Sequence, residues 1–243
     1  MNSSDTVHRP AFLRHRGPHP GGLAVVYTVL FLAGLYSVIS FTGGAHFPGP
    51  WEPGDVISSY FPAHRSAVLL CALLQFGAAV PLGLFTATVV SRLRFLGVRA
   101  AGVYIALFGG FATALDMMMS SHLLWVMTRP GVAQEGALVQ GLYFLGYSLG
   151  GPGFSVPRGL MMAGVSITAG FKRLLPRWVV VLGVALAVCG ELSWISMAIP
   201  NALFLIPLTR FPGFVWLIAV GFLLPSTTAR RVEEPETPES RLA

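Results

Sequence analysis

The stretch ATALDMMMSSHLLWVM, residues 112–127, sets one carboxylate, Asp116, beside three consecutive methionines inside a long apolar run. Little water reaches such a run. A charge at the centre of a bilayer costs about 2.5–3.5 kcal/mol even on lenient insertion scales. The rest of the composition says which solvent surrounds it. Of 243 residues only 11% are charged, where a soluble domain carries about 25%, and the mean hydropathy is +0.69. That balance calls for an apolar solvent, so the chain reads as an integral membrane protein.

A bilayer core needs about 20 apolar residues per helical crossing. Runs of that kind cover residues 22–41, 66–91, 100–127, 137–171, 178–199 and 202–224. The expected fold is therefore all-α: a polytopic transmembrane helical bundle of six spans. Residues 1–21 form a cytoplasmic N-terminal segment, 22–225 the membrane domain, and 226–243 a disordered cytoplasmic tail. The first run is longer than the usual signal-peptide core of about 7–15 residues, so it reads as an uncleaved span.

The fourth run is too long for one straight crossing. As a helix it would extend about 50 Å against a hydrocarbon core of about 30 Å. It is expected to be a single tilted or kinked span, broken near LGGPGFSVPRG (149–159), where Pro152 and Pro157 lack backbone donors. Splitting it into two crossings would move FKRLLPRW (171–178) to the outside and break the charge pattern.

That pattern fixes the expected orientation. With six crossings and a cytoplasmic N-terminus, the inside segments hold Arg9, Arg14, Arg16, Arg92, Arg94, Arg99, Lys172, Arg173, Arg177, Arg230, Arg231 and Arg241. The outside loops hold Arg65 and Arg129. Basic clusters between apolar runs mark topology, not a nucleic-acid surface. The longest outside loop, TGGAHFPGPWEPGDVISSYFPAHR (42–65), is rich in Gly, Pro and aromatics, and Trp51, Tyr60 and Phe61 suit a headgroup-level belt. His46, Glu52, Asp55 and His64 match no metal-ligand spacing. Cys71 and Cys189, inside apolar runs, read as small buried hydrophobes.

A depth ruler of about 1.5 Å per residue brings four polar groups to similar levels. Asp116 lies about 24 Å from the Ala100 end of its span, Gln75 about 24 Å from Ser91, Arg158 about 20 Å from Phe171, and Glu191 about 20 Å from Trp178. Facing lipid they would be untenable, so Gln75, Asp116, Arg158 and Glu191 form a candidate midplane polar site, with Arg158 expected between the two acids. One guanidinium neutralises one carboxylate, and the other acid becomes the candidate proton-exchanging group. Ser120, one turn from Asp116, and Arg210, in the sixth span or at its outer mouth, are further candidates. His122 reads as an interface residue, and Met117, Met118 and Met119 as packing. Gly146 and Gly150 make a GxxxG step that permits close helix approach, within the monomer or across a homo-oligomer.

No Ser/His/Asp frame or HExxH occurs, so nothing points to an enzyme, a cofactor or a metal. Three readings remain: a small transporter or sensor with a midplane site for a small ligand or a proton, a non-catalytic scaffold or partner subunit whose charges only fix packing, and, least supported, an intramembrane enzyme. The layout, YFPAHRSAVLL (60–70) and FKRLLPRWVVVLGVALAV (171–188) together resemble an uncharacterised bacterial multi-pass family, catalogued as domain of unknown function 4386, over about residues 22–225. The resemblance implies a helical membrane fold and a bacterial inner-membrane location, and brings no activity or site residue with it.

Overall fold

The computed structural model describes residues 12–229. Arg9, Arg230, Arg231 and Arg241 of the expected cytoplasmic charge set, and most of the expected tail, lie outside them. The described chain is helical throughout its apolar runs: α1 (Pro20–Ser40), α2 (Gly54–Ala63), α3 (Arg65–Phe95), α4 (Gly102–Met127), α5 (Pro130–Ala133), α6 (Gly136–Ser148), α7 (Phe154–Phe171), α8 (Arg177–Leu192) and α9 (Leu205–Leu223). A π turn over Leu149–Gly153 joins α6 to α7, and two 3-10 turns, Ser193–Met197 and Pro200–Phe204, join α8 to α9.

Among the described residues, five helical segments are long and apolar enough to cross a membrane: Pro20–Ser40, Arg65–Phe95, Gly102–Met127, Arg177–Met197 and Pro200–Leu223. The expected six spans are thus reduced to five on this criterion, and the fourth run is the one that drops out. Its two halves, 13 and 18 residues long, are separated by the π turn. The longer half, α7, turns Ser155, Arg158, Ser166 and Thr168 inward, where all are buried. A helix can carry that polarity only where neighbours shield it from lipid, and the same polarity lowers its hydropathy.

The main helices pack as a closed ring in the order α1, α3, α4, α7, α8, α9 and back to α1. Successive helices joined by short connections run antiparallel, as in an up-down bundle. The ring closes where the termini meet. Strand β1 (Phe12–Arg14) pairs antiparallel with β2 (Thr227–Ala229), and Arg92 donates to the Leu224 carbonyl at 3.1 Å. The start of the expected disordered tail is therefore a strand: β1 supplies partners for its backbone groups. The connections 96–101 and 172–176 lie at this same terminal end, so Arg14, Arg16, Arg92, Arg94, Arg99, Lys172, Arg173 and Arg177 gather there.

The opposite end is capped by the loop 41–64 with α2. Tyr60 and Phe61, expected in an interfacial belt, are instead buried in a cluster with Ile57, Val139 and Tyr143, and Phe47 meets Tyr60 edge-on at 5.4 Å. The reason is the helix itself: α2 places Ile57, Tyr60 and Phe61 on one face, against α6. Trp51 alone of the three stays exposed. Of the thiols, Cys71 is buried and Cys189 only half-buried.

Helices α4 and α7 approach closely. A side chain beginning at Gly109 would bring its Cβ 2.6 Å from the Met161 backbone nitrogen, and one at Gly164 would come within 2.8 Å of the Ala106 nitrogen. Small residues at both places let the two backbones touch. Gly109→Leu is therefore expected to separate α4 from α7 and lower stability by about 1–3 kcal/mol, read as a fall in melting temperature in detergent. An unchanged melting temperature would show that these helices do not meet there.

Candidate functional site

Helical spacing builds the interior at the ring's centre. Tyr27 and Phe31 on α1, Phe154 and Arg158 on α7, and Arg210 and Phe214 on α9 are each pairs four residues apart, so each pair shares one helix face. All three faces converge. Arg158 is fully buried, and its Nη1 donates to the Tyr27 hydroxyl at 2.7 Å. Its guanidinium carbon lies over the rings of Phe154, Phe214 and Tyr27 at 5.2, 5.4 and 5.6 Å. Arg210 shares the box: its guanidinium carbon lies 4.6 Å from the Phe154 ring and 5.3 Å from Phe31. Each such contact is worth up to about 2 kcal/mol when desolvated.

Neither arginine has a carboxylate. Among the described residues the one ion pair is His46–Glu52, far away in the capping loop. Arg158 Nε and Nη2 and Arg210 Nε are buried without a hydrogen-bond partner. The expected Asp116–Arg158–Glu191 arrangement is therefore not formed, although the depth ruler placed the groups at neighbouring levels. The angle around α7 separates them. At 3.6 residues per turn, Gly153 and Gly159 lie about 140° and 100° from Arg158, in opposite senses. Asp116 of α4 sits over Gly153, with Oδ2 3.5 Å from where a Cβ there would stand, and Glu191 of α8 over Gly159, with Oε1 at 3.0 Å on the same measure. Each acid packs on a flank of α7, while Arg158 points between α1 and α9.

A cavity of about 220 Å³ opens between the capping loop and this aromatic box. It brings together Gln75, Ser120 and Arg210 of the sequence-derived candidates, with Cys71, Tyr143 and Tyr147, and leaves out Asp116, Arg158 and Glu191. Gln75 reaches Cys71 Sγ at 3.6 Å, and Ser120 donates to the Gly146 carbonyl at 3.0 Å. The GxxxG step thus works within the monomer: Gly146 and Gly150 face Leu123 and Ser120 of α4. The π turn, which includes Pro152, shifts the hydrogen-bond register, and Arg210 Nη2 donates to the Gly150 carbonyl. Arg210 is therefore inside the bundle on α9, not at an outer mouth. π turns recur at functional sites because they re-aim backbone groups in this way.

Tyr143 and Tyr147, which the sequence reading missed, tie the cavity to its surroundings. Tyr143 donates to the Pro48 carbonyl at 2.6 Å and Tyr147 to Ser196 at 3.3 Å. Phe47, from the loop, closes one side. His122 lines a separate shallow groove with Phe76, its ring 4.9 Å away. Of the methionines, Met117 is buried and Met119 exposed. No family model matches the chain, and neither a curated protein nor a solved structure matches it.

The capping loop is latched by Glu52, which accepts from the Gly49 amide at 2.6 Å and pairs with His46 at 3.0 Å. The Gly49 bond first, and His46 second, hold the Glu52 carboxyl below its ordinary range. A depressed folded value means the latch is whole above the ordinary glutamate range and is lost as pH falls through the lower folded value. Hydrogen-exchange protection of the Gly49 amide, corrected for intrinsic rate, should persist from neutral pH down through that ordinary range and vanish below it. Protection lost already at the ordinary value would refute the latch.

The box makes a second prediction. Tyr27→Phe leaves Arg158 a buried charge with no hydrogen bond and should cost about 1.5–3 kcal/mol. Arg158→Met removes the charge, strands no acid, and should cost less or stabilise. Asp116→Asn should change stability by no more than about 0.5 kcal/mol. Thermal melts in detergent rank the three; Arg158→Met as the most damaging would restore a hidden ion pair.

Proposed function

We propose that this integral membrane protein binds a small ligand in the cavity lined by Gln75, Ser120, Tyr147 and Arg210, as a transporter or sensor does. The observation that carries the reading is the Arg210 guanidinium: it lines a cavity inside the bundle, and its buried Nε has no protein partner among the described residues. A group so costly to bury is a functional candidate by default. Re-aimed backbone at the π turn and the loop that caps the cavity add to it. In this reading α6, the π turn and α7 together make a further crossing, giving six. The basic terminal end then faces the cytoplasm of a bacterial cell, as the lysine and arginine asymmetry directs.

The scaffold reading draws on a different observation. Asp116, Arg158 and Glu191 all sit in side-chain contacts away from the cavity, which suits a packing role for those residues. The two readings separate on access. In a background of Cys71→Ser and Cys189→Ser, Gly146→Cys puts a thiol at the cavity wall, where a Cβ meets only Leu123, at 3.6 Å. Methyl methanethiosulfonate, small and neutral, should modify it in membranes, scored by intact mass, and Ile206→Trp should block the modification by filling the cavity. An unreactive thiol, or one indifferent to Ile206→Trp, would sink the ligand-site reading.

A further inference from the structure

We infer that the ligand of this cavity is a small amphiphilic oxyanion, its charged head on Arg210 and its apolar body along the cavity wall. The inference rests on the cavity being a ligand site, and it names the chemistry that site selects. Three observations carry it.

The first is charge. Arg158 and Arg210 flank the Phe154 ring at 5.2 and 4.6 Å, and guanidinium groups keep their proton at any ordinary pH. No carboxylate pairs with either among the described residues, and the nearby acids face the flanks of α7 instead. Aromatic faces offset part of the desolvation cost but supply no counter-charge. The aromatic box therefore holds two guanidinium groups with no carboxylate on either among the described residues, and an anion in the cavity would give Arg210 a partner.

The second is donor geometry. Arg210 Nη2 is committed to the Gly150 carbonyl, while Nε is buried without a protein partner. The backbone contact fixes the fork; Nε is sealed into the wall, and Nη1, outside the buried set, is the donor left to meet an oxyanion. Gln75 and Ser120 are further polar groups lining the same cavity.

The third is the wall. Leu35, Val38, Leu124 and Ile206 line the remainder of the space. Its volume of about 220 Å³ falls below the ~300–1,000 Å³ of drug-sized pockets. Inorganic phosphate would leave the apolar wall uncovered, and a neutral hydrocarbon would leave the guanidinium unpaired. A carboxylate or phosphate head on a short apolar body satisfies both, whether it comes as a free acid or as the head of an anionic lipid.

The test uses the unaltered chain in nanodiscs of zwitterionic phosphatidylcholine, with octanoate and octan-1-ol as matched probes and empty discs as the blank. Calorimetry should show saturable binding of octanoate and none of octan-1-ol. Arg210→Gln should weaken octanoate by about tenfold or more, the loss expected for one charge-assisted hydrogen bond. Octanoate should also protect the Gly146→Cys thiol, which locates it. Discs containing phosphatidylglycerol distinguish the sources: thiol protection without octanoate, with octanoate binding suppressed, assigns a lipid head, and octanoate binding unaffected by phosphatidylglycerol assigns a free acid. Equal binding of octanol and octanoate, or no binding of either anion, overturns the inference, and that comparison needs no variant to fold. If the thiol reacts and Ile206→Trp blocks it while no anion binds or protects, the cavity reading survives and the anion assignment alone falls.

Discussion

A guanidinium that cannot lose its proton lies in the second turn of α7, out of reach of water and lipid alike, and the interior is arranged around it. Arg158 finds one hydrogen bond, to Tyr27, and three aromatic faces. Those groups come from α1, α7 and α9, so the charge is tolerable only when the ring of helices has closed and brought the first and last long helices together. The terminal strands β1 and β2 reinforce the same closure from outside. Ring closure and charge burial are one constraint.

The π turn is the second consequence of that arrangement. With Arg158 turned inward, the polar residues of α7 must face the bundle, and the helix needs its neighbours at short range. Small residues at Gly109, Gly159 and Gly164 supply that. The turn at Leu149–Gly153 then rotates α6 relative to α7, so that Gly146 and Gly150 face α4 while the Gly150 carbonyl meets Arg210. The space left where α6 diverges is the cavity, and the loop 41–64 covers it through Phe47 and the Tyr143–Pro48 bond. The polar groups therefore fall into two adjoining layers: a buried aromatic box around Arg158, and a cavity lined by Arg210, which also touches the box.

Much of this was legible in the sequence. Hydropathy alone gave the membrane class and the helix positions within a few residues, because a bilayer core imposes a minimum apolar length whatever the tertiary contacts. The trouble near LGGPG was also legible, because Pro152 cannot donate. The cost of placing polar groups in hydrocarbon singled out Gln75, Ser120 and Arg210 as candidates, and all three line the cavity. The aromatic box could have been found as well: Tyr27–Phe31, Phe154–Arg158 and Arg210–Phe214 each carry the four-residue spacing of a shared face.

What the sequence could not carry was azimuth between helices. A depth ruler measures rise along an axis, and Asp116, Arg158 and Glu191 do lie near one another along α7. Whether they meet depends on which flank each neighbour occupies, and that is decided by ring order and by the side on which a helix finds glycine. Likewise, Tyr60 and Phe61 have the composition of interfacial residues, and only the docking of α2 on α6 buries them. Apolar length and polar cost are local properties, fixed by the chain. Partner choice among buried charges is not, because a rotation of about 100° costs nothing in hydropathy and decides which groups touch.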